Sequence, residues 1–262
     1  MVPNALAVAR DGFAYLAGAP TSVGSDSVFL LNATGTSLVA AAAPGLSAHA
    51  IALARDGSLY LAGPTGTGPD PFIVTAGAFQ SDPGLAPNAN ATQTAIVKMD
   101  AKLDGILAGT YFGGAFGNDV NAITLDAAGN VYVGGYTSPR SLPTRTPFVQ
   151  GFGLAVTGYA AELSGNLSDL LFSSEFGDNE AFGVNGLAIG ARGNLVLGGL
   201  VLGAGFGTDA QLSIGGAAVT TISSSATNLV AIVPWGLAGA AATVQVLSGG
   251  GTSNSVLAAL VH

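Results

Sequence analysis

The chain has 262 residues, of which 49% are hydrophobic and 8% are charged, with 40 glycines, no cysteine and a net charge of -8. This composition excludes an intrinsically disordered chain, and 7 Lys and Arg residues are too few for a basic surface that binds nucleic acid or anionic lipid. The lack of cysteine excludes disulfides and thiolate chemistry, and no apolar run is long enough to predict membrane insertion.

One fifteen-residue pattern begins at Asn4, His49, Asn121 and Asn185. Each copy contains an apolar run, a polar turn with Asp, Gly or Asn, and a second apolar run, which is typical of a β-hairpin. A helical repeat is excluded by the period-2 alternation and by the turn glycines. We therefore predict hairpins over residues 4–18, 49–63, 121–135 and 185–199.

A second hairpin pattern follows the first three copies, with turns at 32–35, 100–105 and 164–169. Two hairpins make a four-stranded unit, and the first hairpin of each unit is apolar on both faces, so both faces must be covered. This arrangement is typical of stacked β-propeller blades. We predict an all-β chain with about three and a half four-stranded propeller blades over residues 1–202. Because closed propellers typically have about 4 to 8 blades, further blades are expected upstream.

From residue 203 the repeat gives way to short strands separated by Gly- and Pro-containing turns. This spacing predicts a small immunoglobulin-like β-sandwich over residues 203–262. Gly203–Gly207 is interpreted as a connector, because no helix pattern follows it as a phosphate-binding loop would require. Residues 1–4 have no signal-peptide features, so we predict no signal peptide in this chain and interpret it as a fragment. The strand alternation predicts six inward-facing residues: Leu212, Ile214, Val230, Ile232, Val244 and Val246.

Three segments of the second and third units, Thr75–Gln80, Tyr111–Gly114 and Asp126–Thr137, resemble the SBBP repeats of bacterial β-propeller proteins. The first unit departs from them, with Ala41–Pro44 in place of the Tyr-Phe-Gly-Gly segment. The tail, through Leu212–Gly216, Asn228–Trp235 and Ser253–Asn254, is similar to IPT/TIG-type immunoglobulin-like domains, especially one found in uncharacterised Acidobacteria proteins. These resemblances imply an extracytoplasmic location, secreted or at the cell surface, and a binding, adhesive or scaffolding role. They supply no catalytic motif and no cofactor.

The candidate binding residues lie in the long connections between hairpins and in the tail, since loops on a rigid scaffold often carry binding. A second interpretation stays open for the loop aromatics, which can instead cover a sheet edge, and for the tail tryptophan, which can instead belong to a core. The predicted partner is a protein or glycan at the cell surface. The candidates are Phe72, Phe79, Arg140, Arg145, Phe148 and Trp235.

Catalysis and metal binding are not expected. His49 is one of 2 histidines and occupies a repeat position where two other copies have Asn, which favours a structural role. Asp11, Asp56 and Asp126 lie in turns that select Asp without calcium. The alternatives to a binding module are a pure spacer and a propeller lyase or glycosidase acting on polysaccharide. For such an enzyme the one local acidic cluster is Glu162, Glu175, Asp178 and Glu180.

Overall fold

The computed structural model describes residues 1–22, 24–65, 72–85, 92–138, 142–147, 157–176, 182–190 and 195–202, and beyond them the backbone of six strands between 211 and 258. All regular elements in these ranges are β-strands. The prediction of an all-β chain is confirmed. The described residues include no helix that is long and apolar enough to cross a membrane.

Three consecutive four-stranded antiparallel sheets, units 1 to 3, form the first part of the chain, each with its strands in sequence order. A fourth hairpin follows them. The hairpins predicted from the repeat are therefore confirmed. Unit 1 contains β1 (Val2–Val8), β2 (Ala14–Ala19), β3 (Val28–Leu31) and β4 (Leu38–Ala42); unit 2 contains β5 (Ala50–Leu53), β6 (Leu59–Pro64), β7 (Thr94–Met99) and β8 (Ile106–Phe112); unit 3 contains β9 (Asn118–Leu125), β10 (Val131–Thr137), β11 (Thr157–Leu163) and β12 (Leu170–Phe176); the fourth hairpin contains β13 (Phe182–Ile189) and β14 (Leu195–Leu202).

The turn of the first hairpin has the same conformation in all three units. Its glycine has a φ of +88° at Gly12, +87° at Gly57 and +90° at Gly129. This is the left-handed region, which glycine adopts without a steric penalty. The repeated glycine in the sequence pattern is thus explained by backbone geometry.

The turn of the second hairpin also repeats, but with an unusual residue choice. Its fourth position has a φ of +70° at Gly35, +65° at Leu103 and +60° at Leu167. Leucine seldom adopts this conformation, because its Cβ crowds the backbone there. Both leucines are nevertheless buried, at 6% and 0% exposure, in the layers between units. Their burial offsets the backbone strain.

The units stack in chain order, with the first strands β1, β5, β9 and β13 next to one another. One apolar layer lies between units 1 and 2, including Tyr15, Val28, Leu61 and Val97. A second layer joins units 2 and 3, and a third joins unit 3 to the fourth hairpin. Units 2 and 3 are therefore covered on both faces, as the two-sided apolar pattern predicts.

Hydrogen bonds from tyrosine reinforce the stacking. The hydroxyl of Tyr15 donates to the carbonyl of Ala101 at 2.7 Å, and that of Tyr60 donates to the carbonyl of Gly165 at 2.6 Å. Both acceptors occupy the same position of the second-hairpin turn in the following unit. The tyrosine shared by the repeats thus fixes the register of one unit on the next.

The glycine that ends each repeat pattern allows a close approach of two strands. A Cβ at Gly63 would lie 1.9 Å from the carbonyl oxygen of Ser47, and one at Gly135 would lie 2.1 Å from that of Asp119. No side chain fits at these distances. The chain at the start of the unit can therefore lie this close to the second strand only where that residue is glycine.

The long connections cover the outer edges of units 2 and 3. In unit 2, Thr75 donates its backbone N–H to the Gly109 carbonyl at 3.1 Å, and Tyr111 donates its backbone N–H to Gln80 at 3.0 Å. In unit 3, Ser173 donates its backbone N–H to Arg145 at 3.0 Å. These bonds pair groups that an edge strand would otherwise expose.

The strands after residue 210 continue the pairing of the fourth hairpin. Val201 of β14 pairs with Leu229, and Leu212 pairs with Val246. The boundary near residue 202 and the sandwich stay predictions, and the side chains expected to face inward lie outside the described residues. The strands are β15 (Gln211–Ile214), β16 (Ala217–Ser224), β17 (Asn228–Ile232), β18 (Ala242–Ser248), β19 (Gly251–Thr252) and β20 (Val256–Ala258).

Candidate functional site

The first residue of the repeat pattern makes the same bond to the next unit from units 1 and 3. The side-chain amide of Asn4 donates to the Ala48 carbonyl at 3.1 Å, and that of Asn121 donates to the Val184 carbonyl at 3.0 Å. His49 occupies the equivalent position of unit 2, and the backbone of Val120 contributes to raising the pKa of its imidazole. Asparagine and histidine can both donate to a carbonyl.

His49 has a second partner that the asparagines do not have. Its Nδ1 lies 3.1 Å from Oδ1 of Asp119, whose other oxygen accepts the hydroxyl of Tyr136 at 3.2 Å. The hydrogen bond to Asp119 raises the pKa of His49, and burial, with Asp119 as a second cause, raises the pKa of Tyr136. These three side chains form a hydrogen-bonded cluster at the boundary of units 2 and 3.

The cluster is accessible and continues toward the fourth hairpin. The side chain of His49 is 32% exposed and Tyr136 is 41% exposed. Next to them, the amide of Asn121 also donates to Oδ1 of Asn185 at 3.0 Å. We call His49, Asp119, Asn121, Tyr136 and Asn185 the polar row.

Behind the polar row, the boundary between units 2 and 3 contains buried polar groups. Asn118, which precedes Asp119, accepts the backbone N–H of Thr94 at 3.4 Å. Tyr159 and Glu175 are cross-strand partners and therefore share the sheet face toward unit 2. Burial raises the pKa of both the Tyr159 phenol and the Glu175 carboxyl. The cause is the cost of placing the charged carboxylate in a buried environment.

Phe72 and Phe79, which the sequence suggests as binding residues, pack against their own unit. Phe72 is 5% exposed, and its ring centroid lies 5.2 Å from that of Tyr111 in an edge-to-face contact. Phe79 is partly buried, with its ring centroid 6.3 Å from that of Phe112. This placement matches the edge-covering interpretation, and it leaves the Phe72 ring little surface for a ligand.

Arg145 lies in a connection that packs beside β12, the outer strand of unit 3, and forms a bridge with Ser173. Its backbone N–H donates to the hydroxyl of Ser173 at 2.9 Å, and its guanidinium donates to the Leu170 carbonyl. Three further candidates lie outside the described residues, so their binding role stays a prediction: Arg140, Phe148 and Trp235.

Two of the four carboxylates considered for a polysaccharide enzyme, Glu162 and Glu175, lie in the described residues, and they do not converge on one site. Glu175 pairs with Tyr159, whereas Glu162 pairs with Phe172, and the alternation of β11 places these two pairs on opposite sheet faces. Two carboxyl groups on opposite faces cannot flank one glycosidic bond at the roughly 5 Å that a retaining mechanism needs. Asp178 and Glu180 lie outside the described residues.

The turn aspartates bond within their own turns. The carboxylate of Asp56 accepts the backbone N–H of Ser58 at 2.9 Å, and that of Asp126 accepts the backbone N–H of Asn130 at 2.8 Å. Asp11 accepts the N–H of Phe13 in the same way. In the described part of the chain, no group of three or more His, Asp or Glu residues could hold a metal ion.

Of the polar row, sequence reasoning considered His49 but missed Asp119, Asn121, Tyr136 and Asn185 as site residues. Asn121 and Asn185 occupy the same repeat position as His49, so alignment of the repeats could have placed these three residues in one row. The pairing with Asp119 depends on the stacking of two units and left no signal in the spacing.

No protein-family model and no curated protein matches the chain. Among solved structures, the chain is similar to Kuenenia stuttgartiensis hydrazine synthase, with 10% identity and a TM-score of 0.48 over 76% of its length. The chain covers 52% of that structure's chain, about half its length. Similarity at this level supports no statement about activity.

Proposed function

We propose that the chain is a non-catalytic, extracytoplasmic binding module in which units 1 to 3 and the fourth hairpin are consecutive blades of a β-propeller. The support is the repeated four-stranded sheet, the adjacent first strands and the apolar layers between units. The tail from residue 203 would add an immunoglobulin-like sandwich of IPT/TIG type. The resemblance to SBBP repeats favours the cell surface or secretion.

The ligand face in this proposal is the polar row, and the ligand is a glycan. The glycan proposal rests on Tyr136, because its aromatic ring is exposed and its hydroxyl is hydrogen-bonded to Asp119 beside His49. Aromatic faces pack well on the apolar faces of sugars, while carboxylate, amide and imidazole groups bond their hydroxyls. A protein ligand at the same face is the competing outcome.

The test is binding of the full chain to an array of neutral and acidic oligosaccharides, followed by calorimetry on any glycan retained. Tyr136→Ala should weaken binding at least about tenfold, whereas Tyr136→Phe should retain most of it, because the ring supplies the packing surface. The control is Leu107→Ala, because Leu107 is also exposed (54%) but is not part of the polar row. Absence of glycan binding, or equal binding by Tyr136→Ala, would refute the proposal.

A polysaccharide-cleaving enzyme is the second candidate, and the His49–Asp119 pair is the observation that favours it. A carboxylate that orients an imidazole is a common arrangement for general acid–base catalysis. Incubation of the chain with polysaccharides, followed by a reducing-end assay, separates the two functions. We expect no new reducing ends. Cleavage that is lost in His49→Asn would establish the enzyme instead.

A further inference from the structure

A group of buried polar side chains lies at one end of the boundary between units 2 and 3. Each has a nitrogen or oxygen atom that makes no hydrogen bond of normal geometry in the described part of the chain, although each residue is at most 4% exposed. Native structures contain few such atoms, and an ordered ion or water commonly accounts for them. We call these residues the buried polar cluster: Gln93, Asn118, Thr157, Tyr159 and Glu175.

Strand pairing in unit 3 brings four members of the cluster together. Asn118, Thr137 and Thr157 are cross-strand partners and form one row across three strands. Tyr159 follows Thr157 by two residues and therefore lies on the same face, where it pairs with Glu175. Tyr159 belongs to the apolar layer between units 2 and 3, so this face is the one that packs on unit 2.

Unit 2 contributes the remaining member, Gln93, which directly precedes β7. A Cβ at Gly113 would lie 2.2 Å from Oδ1 of Asn118 and 2.6 Å from Oε1 of Gln93, so the two amides border the same glycine. The Nε2 of Gln93 donates to the Pro83 carbonyl at 2.5 Å, which identifies Oε1 as the acceptor of this amide. Glycine at position 113 thus leaves room for the polar atoms at the boundary.

The cluster is rich in oxygen and has one ionisable carboxyl group. Four of its unpartnered atoms are oxygens: Gln93 Oε1, Thr157 Oγ1, the Tyr159 hydroxyl and Glu175 Oε2. No lysine or arginine in the described residues forms an ion pair with Glu175. Because an unpaired buried carboxylate is costly, a positive charge beside Glu175 would stabilise the boundary.

The charge of the cluster favours a monovalent cation over a divalent one. Hard cations bind carboxylate, amide carbonyl and hydroxyl oxygens, and one carboxylate among neutral oxygens balances a single positive charge. A divalent ion would leave a net charge buried. We propose that the buried polar cluster binds one sodium or potassium ion between units 2 and 3. Asn118 borders this site and is not a ligand, because its unpartnered atom is a nitrogen donor.

Sequence reasoning could not predict this site. It considered clusters of carboxylates and histidines, and the described residues contain no group of three or more such side chains that could hold a metal ion. Three of the four proposed ligands are neutral, and they come from two units that meet only after stacking.

Thermal unfolding of the full chain in sodium, potassium or choline chloride at one ionic strength tests the proposal. Choline is too large for a buried site and controls for general effects of salt. The melting temperature should be about 2–5 °C higher in sodium or potassium chloride than in choline chloride. Glu175→Gln keeps the shape of the side chain without its charge and should remove most of this difference.

Glu162→Gln is the matched control. Glu162 lies on the opposite face of the same sheet, where its Oε1 accepts Nδ2 of Asn130 at 3.0 Å. This variant should keep the full difference between the salts. Three results would overturn the proposal: equal melting temperatures in the three salts, an unchanged difference in Glu175→Gln, or a larger rise in calcium chloride at the same ionic strength.

NMR relaxation of the ions themselves keeps the test valid if Glu175→Gln does not fold. The unmodified chain should enhance the relaxation of sodium-23 or potassium-39, and each ion should displace the other, whereas choline should displace neither. Thr157→Val removes one neutral ligand and keeps the charge of Glu175, so it should weaken ion binding at least about threefold. No enhancement for either ion, or unchanged binding in Thr157→Val, would count against the site.

Discussion

Replacement of Leu167 tests whether the second-hairpin turn stores backbone strain that burial offsets. Leu167 is 0% exposed with a φ of +60°. Truncating a core leucine to alanine costs about 2–5 kcal/mol, and we expect Leu167→Ala to lose about 3 kcal/mol of unfolding free energy. Alanine keeps the unfavourable left-handed conformation, which is worth about 1–2 kcal/mol relative to glycine.

Leu167→Gly removes the same side chain but also releases the strain of the left-handed backbone conformation. The release offsets the entropy cost of glycine, about 0.5–1 kcal/mol, and the loss of one buried carbon, about 0.8 kcal/mol. We therefore expect Leu167→Gly and Leu167→Ala to differ by less than about 1 kcal/mol. Leu163, also 0% exposed but in regular strand β11, is the reference. There glycine should be worse than alanine by about 1–2 kcal/mol.

Urea unfolding followed by far-ultraviolet circular dichroism measures all four variants, and thermal unfolding provides a check at about 2–4 °C per kcal/mol. Gly35→Ala is the reverse experiment. A Cβ at position 35 would meet no atom within 4 Å, so this variant should add only backbone strain, about 1 kcal/mol. If glycine and alanine differ as much at position 167 as at position 163, the turn stores no strain and the explanation is wrong.

Two further predictions concern bonds between units. Hydrogen bonding to Asp119 raises the pKa of His49 above 6.5, so protonated His49 stabilises the fold below that pH, and its contribution is lost as the pH rises through the raised value. Urea titrations between about pH 5.5 and 8 should show this loss in the unmodified chain but not in His49→Asn, and identical pH profiles would exclude it. Tyr60→Phe should cost about 1–2 kcal/mol, because the partly buried Gly165 carbonyl loses its donor, while Tyr136→Phe should cost less than about 0.5 kcal/mol. Equal thermal shifts for the two phenylalanine variants would refute this difference.

The hairpins could be predicted from the sequence because their signals are local. The alternation on either side of Gly12, Gly57 and Gly129 determines both strands and turn within fifteen residues. The four-stranded sheets followed from two such hairpins in succession. The covering role of Phe72 and Phe79 could only be left open, because segment 72–80 has no period and bonds to β8 through single backbone groups.

The site depended on contacts between units, and only part of it could be predicted. His49 was recognisable as a repeated position, but its partner Asp119 lies 70 residues away by numbering (119 − 49) and meets it only after units 2 and 3 stack. The left-handed Leu103 and Leu167 were also beyond prediction, since leucine has no preference for that conformation. Their alignment with Gly35 was the one available indication.

The segment that covers unit 2 also ties that unit to its neighbour, because Phe79 donates its backbone N–H to the carbonyl of Leu167 in unit 3 at 2.8 Å. Local opening of unit 2 therefore breaks a bond to unit 3, so these two units should exchange their amide hydrogens as one cooperative block. In the described residues unit 1 has a short connection between β2 and β3 and an exposed outer strand, with Val39 at 53% exposure. Because its outer strand is exposed, we expect unit 1 to open locally before units 2 and 3.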